Sequence, residues 1–477
     1  MNIPEIQKSK KKKILLLSDD MRLHSGIGTM SKEFVFGTVD KYDWCQLGGA
    51  VNHPDDGKAI DVSLTAKEEA GVDSAYVRIY CTTGYGDPNK LRNVINIEKP
   101  DAILHFTDPR FWGWLYEMEH EVRQNIPLLY YNIWDDLPFP HWNENAYESC
   151  DLLMAISKQT YNINKHVCQR KPRIEGYDLT YVPHGIDTKK FFPVDKNNAE
   201  YLAYKAKLLS EKDYDFIAAF NSRNIHRKRP SDLILGYKKF CDTLTKEQAS
   251  KCALIMHTDI IDNNGTDLNA VKEALCPDYD IIFSPGKVGT KELNFFYNIA
   301  DVVCNPSSAE GFGLSHMEAI MTGTPTIATV VGGLQDQMGF INKNGEPFSV
   351  KDLSEKVPSN STGEVSKEWG KWTYPLWPQM NLQGSPMTPY IYDSRVTVKS
   401  ITDGLKWWHS MGNAQREECG EEGRKWAIEN NFTSEGMCNA MTESIDNILE
   451  KWTPRKRFTL INMNNHKIPT YPDGALI

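Results

Sequence analysis

A chain of 477 residues is more than one ordinary hydrophobic core can fill, so two domains are expected. Its 40% hydrophobic and 25% charged residues are the composition of a globular protein. A formal charge of −9 argues against a surface coated in basic side chains for polyanions, although a local basic face remains compatible with it.

The N-terminus, 1-MNIPEIQKSKKKKILLLSDD-20, joins a basic run to four apolar residues, too few for a signal-peptide core. The ILLL stretch reads as a first buried strand, and Lys8–Lys13 as a solvated leader at the sheet edge away from any cleft. Short apolar runs then recur at 43-DWCQL, 77-VRIY, 102-AILHF, 128-LLYYNI, 152-LLMAIS and 180-TYVP. A second set follows at 216-FIAAF, 253-ALIMHT, 281-IIFS, 302-VVCNP and 326-TIAT. Runs without polar alternation fit parallel strands buried on both faces. Their alternation with helical stretches predicts an α/β chain of two Rossmann-like, doubly wound domains facing across a cleft. The charged, Pro-punctuated segment 187-DTKKFFPVDKNNAE-200 reads as the linker. The expected parts are 1–190, 200–415, and a 416–477 region of helices and tail returning to the first domain. Residues 357–390, rich in Trp and Pro, read as an irregular insertion: a surface flap, or a loop that contacts substrate.

No apolar run approaches the roughly 18 residues of a membrane-spanning helix. The ten cysteines show no Cys-x-x-Cys spacing, which suits a reducing cytoplasm and argues against a disulfide framework or a structural zinc.

Ligands of open parallel sheets bind beyond the carboxyl ends of the strands, so the residues there carry the functional reading. After the first strand, Gly26 and Gly28 in 18-SDDMRLHSGIGTMSKEF-34 let backbone N–H groups approach a phosphate; a plain turn fits the same residues. The loops 76-YVRIYCTTGYGDPNKLRN-93 and 107-TDPRFWGWLY-116 interleave Arg78 and Arg110 with Trp112 and other aromatics. That mixture suits stacking on bases with phosphate contacts, stacking on sugar rings, or simple packing. In 220-FNSRNIHRKRPSDLILGY-237, Arg223 and Lys228 make a diphosphate clamp or a solvated basic loop. In 310-EGFGLSHME-318, Gly311 and Gly313 bring backbone close to a ligand, and Glu310 and Glu318 are acceptors for sugar or ribose hydroxyls. The Gly-Gly turn of 323-GTPTIATVVGGLQDQ-337 is in isolation only a turn.

In order, the Gly loop at 25–28, 181-YVPHGIDTKKFFP-193, Arg223 with Lys228, 310-EGFGLSHME-318 and 324-TPTIATVVGG-333 resemble the family 4 glycosyltransferases, which have the GT-B fold. The resemblance implies transfer of a sugar, with retention, from a nucleotide diphosphate to an acceptor hydroxyl, without a metal or other cofactor. It implies that Arg223 and Lys228 hold the diphosphate, Glu318 the ribose, and Glu310 faces the sugar. Gly26, Gly28, Gly311, Phe312, Gly313 and Leu314 complete the implied donor set.

One departure stands out. In 130-YYNIWDDLPFPHW-142, Trp134 occupies the position where many members carry His, with His141, His105 and His24 as alternatives in sequence. Asp135 or Asp136 then accepts the acceptor's proton, or caps a loop. The expected acceptor set is Arg78, Arg110, Trp112, Trp134 and His141. The chain as a whole is also similar to DNA-modifying glycosyltransferases of T-even-type bacteriophages. That similarity implies glucose or arabinose transfer from a UDP donor to 5-hydroxymethylcytosine in double-stranded DNA, in the host cytoplasm. A saccharide, lipid or other small acceptor is the alternative, without integral membrane association. A catalytically degenerate binder of nucleotide sugar or nucleic acid is the rival class.

Overall fold

The computed structural model describes residues 10–455; Lys8 of the basic run and the tail after Arg455 lie outside the described residues. The first sheet comprises β1 (Lys12–Asp19), β2 (Tyr42–Ala50), β3 (Ala59–Asp61), β4 (Val77–Thr83), β5 (Ala102–Phe106), β6 (Leu128–Asn132), β7 (Leu152–Ala155) and β8 (Leu179–Tyr181). The second comprises β9 (Phe216–Asn221), β10 (Cys252–His257), β11 (Asp280–Phe283), β12 (Val302–Asn305), β13 (Thr326–Thr329) and β14 (Thr373–Leu376). A separate hairpin pairs β15 (Gln379–Ser385) with β16 (Thr388–Arg395).

The strand orders are β3-β4-β2-β1-β5-β6-β7-β8 and β11-β10-β9-β12-β13-β14. The second is the Rossmann order, third-second-first-fourth-fifth-sixth, and the first repeats it apart from an antiparallel edge strand and an added strand at the far side. Burial explains the parallel pairing. Ile14, Leu15, Leu16 and Leu17 are all inaccessible to solvent, so β1 is apolar on both faces and needs cover on both. The order reverses between β1 and β5 and between β9 and β12, and a crevice opens at such a switch point. The loops beyond these two crevices meet each other.

The linker is not slack. The Phe192 and Val194 N–H groups donate to Asn294 and Asn298 of the Thr290–Ile299 helix. After the second sheet, the Val398–Ser410 helix packs on the Pro230–Cys241 helix, and Asn413–Glu429 packs on Leu314–Met321. Ser434–Lys451 crosses back to the Gly26–Phe36 helix and β7. There the Tyr42 hydroxyl donates to Asp446 at 2.6 Å and the Ser444 hydroxyl to Thr180 at 3.1 Å.

Two sequence expectations need correction. Residues 357–390 are not irregular throughout: Thr373–Leu376 is the sixth strand of the second sheet, parallel to β13. Trp372 is core, its ring 4.8 Å from that of Trp426 and its indole N–H on the Gln337 carbonyl. The Trp and Pro residues on either side mask this four-residue run. The lysine run, in turn, is no free leader. Lys12 and Lys13 begin β1 and pair with Asp101 at 3.0 Å and Glu98 at 2.8 Å. All ten cysteines are buried and unpaired. Among the described residues no helix is long and apolar enough to cross a membrane.

Candidate active site between the two sheets

The chain leaves β12 through Ser307 and Ser308 to Glu310, which is 5% exposed. Burial favours the neutral acid, but Lys228 and Arg227 outweigh it and hold the Glu310 carboxyl down at about 2. Lys228 pairs directly with Glu310, and the Arg227 guanidinium lies 3.5 Å from its second oxygen. Both cations come from the short 3-10 helix His226–Lys228 that follows β9. Beyond Glu310, Gly313 has φ +91° and starts the Leu314–Met321 helix; a Cβ there would sit 2.4 Å from Leu334. Glu318 lies on that helix. Asn221, at the end of β9, donates to the Tyr297 hydroxyl, which donates to Glu318, both at 2.6 Å. Burial pushes the Glu318 carboxyl up to about 7, only partly offset by Tyr297.

The first domain brings a second helix terminus to the same place. Ser25 caps the Gly26–Phe36 helix by accepting from the Gly28 N–H at 3.0 Å and donates to Asp19 at 2.9 Å. A Cβ on Gly26 would lie 3.7 Å from the Leu314 side chain. Two helix N-termini from different domains therefore converge, neither with an acidic residue in its first turn. Their free N–H groups and positive dipole ends favour an anion between them.

Opposite Glu310 runs Ile133–Asp136. Gly332 (φ +45°) allows this approach: a Cβ there would be 2.0 Å from the Glu310 carbonyl oxygen and 3.6 Å from the Asp135 Cβ. Burial raises the Asp135 carboxyl, against the pull of Arg227, and raises Asp136 well above the carboxylate range, helped by Asp135 beside it. Trp134 is 6% exposed; its indole N–H donates to the Asp136 carbonyl at 2.9 Å, and the Arg110 guanidinium lies over its ring at 5.3 Å. It is thus a buried strut for the Asp135–Asp136 turn. The domains are latched nearby, where Asp336 accepts from the Lys158 N–H at 2.8 Å and the Tyr181 hydroxyl at 2.9 Å.

The site residues expected from sequence divide into three groups. Glu310, Glu318, Lys228, Asp135, Asp136, Gly26, Gly28, Gly311, Gly313 and Leu314 surround this junction, and Phe312 packs beneath it on His184 at 5.4 Å between ring centres. Arg223, in the loop after β9, is exposed and paired with Asp262 at 2.7 Å. Arg110 faces Asp135 and Asp136 while held by Asp108, and His141 is exposed on a short 3-10 helix. Arg78 and Trp112 are corrections. Arg78 is the second residue of β4, at the opposite edge of the sheet, 3.6 Å from both Glu98 and Asp61. Trp112 is wholly buried in the core of the first domain. The sequence reading missed Arg227; its one signal is the basic run HRKR, of which a 3-10 turn folds Arg227 and Lys228 toward a single carboxylate. It also missed a buried cluster of Asp20, His53 and Cys81, whose ligand atoms lie within 4.8 Å of one another. Arg22 supplies the cation there, 2.7 Å from Asp20 and 3.2 Å from the Cys81 sulfur.

Residues 203–359 match the family model for Glycosyl transferases group 1. The mannosylfructose-phosphate synthase of Agrobacterium fabrum is 25% identical over 229 residues, covering 43% of this chain and 44% of the relative. The trehalose synthase of Pyrococcus horikoshii is 37% identical over 207 residues, covering 42% and 48%. The chain therefore spans less than half the length of these curated relatives. Among solved structures, Anabaena HepE in complex with UDP and glucose superposes with a TM-score of 0.60 at 13% identity, covering 91% of this chain and 99% of that one. The fold is GT-B, with two Rossmann-like domains, and its second domain carries the group 1 glycosyltransferase match.

Proposed function

We propose that the protein is a retaining glycosyltransferase that uses a nucleotide-diphosphate sugar, with UDP as the carrier. The observation that carries this reading is the turn holding Glu310 and Glu318, set at the switch point of the second sheet and faced by a helix N-terminus of the first. The match of that region to the group 1 glycosyltransferases and the UDP and glucose held by the HepE structure support it. The diphosphate lies between the two helix N-termini with Lys228, and Arg223 or Arg227 completes its neutralisation. Stabilising the charge that builds on this leaving group is the main catalytic effect. Glu318 accepts the ribose hydroxyls. Glu310 faces the sugar, kept ionised by Lys228 and Arg227. Asp135 takes the acceptor's proton, with Asp136 beside it; burial raises both carboxyls and so makes a proton easier to hold on this pair. The new bond forms on the face the diphosphate leaves.

Incubation with UDP-glucose and UDP-arabinose, followed by mass analysis of candidate acceptors, tests this reading. A gain of one hexose or pentose is expected in wild type and none in Glu310→Ala. Absence of UDP binding by calorimetry would refute it. The finer expectation, glucose or arabinose on 5-hydroxymethylcytosine, enters the same experiment as a hydroxymethylated duplex beside plain DNA.

A further inference from the structure

The β15–β16 hairpin lies outside the family match, which ends at residue 359, and has no place in either sheet. It is rooted in the second domain: two nitrogens of the Arg395 guanidinium donate to Asp232 at 2.8 and 3.0 Å, and Asp393 pairs with Arg229. It reaches across to the first domain. The Tyr392 N–H donates to the Leu137 carbonyl at 2.6 Å, the Tyr390 hydroxyl donates to the Phe139 carbonyl at 3.2 Å, and the Tyr390 ring stands edge-on to Trp142 at 4.4 Å. Under this arm is a cavity of about 10 Å³ lined by Asp135, Asp136, Ser308, Ser361, Tyr392 and Ser394 among others. That is room for about one water, so a substrate enters only when the arm and the first domain separate.

The lining of this space has a chemical sign. It offers hydroxyls, an amide and two carboxyls beside the apolar Leu137, Val331 and Met380, and no Lys or Arg lines it. The nearest cations are already engaged: Arg110 with Asp108, Arg227 with Glu310 and the Ala309 carbonyl. A phosphate brought here would meet two carboxyls and no cation in the lining, whereas a polyol would find donors and acceptors in the serine hydroxyls, the Gln159 amide and the carboxyls. We propose that the β15–β16 arm is the acceptor-side wall of the transfer site, that Tyr392 and Ser394 are specificity-determining residues touching the acceptor, and that the acceptor presents a neutral polyhydroxylated group at this wall. The inference rests on the glycosyl-transfer reading and names the substrate class of that same site.

Hydrogen exchange of the arm, measured with UDP present, tests it on the full chain. The probes are a panel of neutral mono- and disaccharides, glucose 6-phosphate, and a hydroxymethylated DNA duplex. Slower exchange across Thr388–Arg395 with a neutral sugar, and not with the phosphate ester or the duplex, is expected. Protection by the phosphate ester or duplex alone, or by no probe, overturns the proposal. In transfer assays with the protecting sugar, Tyr392→Ala and Ser394→Ala should each raise the acceptor KM about tenfold while the UDP-glucose KM stays within about twofold. Equal changes in both KM values, or a loss confined to kcat, also overturn it. A wild-type protein that binds no UDP would instead refute the glycosyl-transfer reading, an outcome distinct from intact UDP binding with an indifferent arm.

Discussion

The two halves of the site sit at equivalent switch points of sheets with nearly the same strand order, yet they are built differently. The second-domain half is local: Asn221 to Lys228 runs from the end of β9 and Glu310 to Glu318 follows β12, so two short segments supply it. The first-domain half is assembled from distant pieces: the turn after β6, a helix terminus after β1, and the arm, which brings Tyr392 to the same cavity as Asp135 although 257 residues separate them. A nucleotide diphosphate presents constant chemistry that one motif can serve, while an acceptor is read by loops whose neighbours only the fold supplies.

Four substitutions probe this contrast, beginning with the largest effect. Lys228→Ala leaves Glu310 buried with only Arg227 beside it. It should cost roughly 3 kcal/mol, at the low end for truncating a buried ion pair because Arg227 remains, and reduce kcat/KM about 100-fold or more. Urea denaturation and steady-state kinetics check both. The sign with pH follows from the lowered carboxyl of Glu310: its stabilising contribution is present above its unfolded value of about 4.3 and is lost as pH falls through about 2. In the variant that contribution shrinks, so the two proteins should converge in stability as the medium is made more acidic. Gly332→Ala, with φ +45° and a Cβ 2.0 Å from the Glu310 carbonyl oxygen, should lose roughly 1–3 kcal/mol. Because it separates Glu310 from Asp135, transfer should fall while UDP affinity, measured by calorimetry, holds; a parallel fall in both would blur the division between the halves.

Glu318 gives a pH signature on the donor side alone. Its carboxyl is pushed up to about 7, and only the ionised form is an acceptor at both oxygens. UDP affinity should rise about tenfold as pH increases from roughly 6 to 8, and Glu318→Gln should flatten the profile. The stability term runs the other way: a raised carboxyl contributes stability fully present below its unfolded value and lost as pH rises through about 7. The smallest effect belongs to Arg78→Ala. Its guanidinium is at the far edge of the first sheet, and Glu98 keeps Lys13, so about 1 kcal/mol of stability is lost and transfer rates stay within about twofold. A larger loss of transfer would return Arg78 to the acceptor side.

The expectations for Arg78 and Trp112 failed for a physical reason. Aromatic and basic residues alternate in 107-TDPRFWGWLY-116, and nothing local tells a stacking platform from a core. Trp112 goes into the core, its ring 5.0 Å from that of His105 on β5, while Arg110, two residues earlier, is held by Asp108 toward Asp136. Arg78 lies in a strand, and its position on β4 puts it at the edge where strands begin.

The sequence by itself determined the doubly wound sheets, through apolar runs that can only be buried on both faces, and the turn proposed for the donor, through Glu310, Glu318 and the glycines between them. These are features within reach of a few residues, where spacing along the chain sets spacing in space. Tertiary structure alone decided that Arg227 joins Lys228 at Glu310, that Trp134 braces the Asp135–Asp136 turn, and that β16 walls the space beside them. Each depends on which segments pack side by side across a domain boundary, and that is settled by burial and loop closure over hundreds of residues.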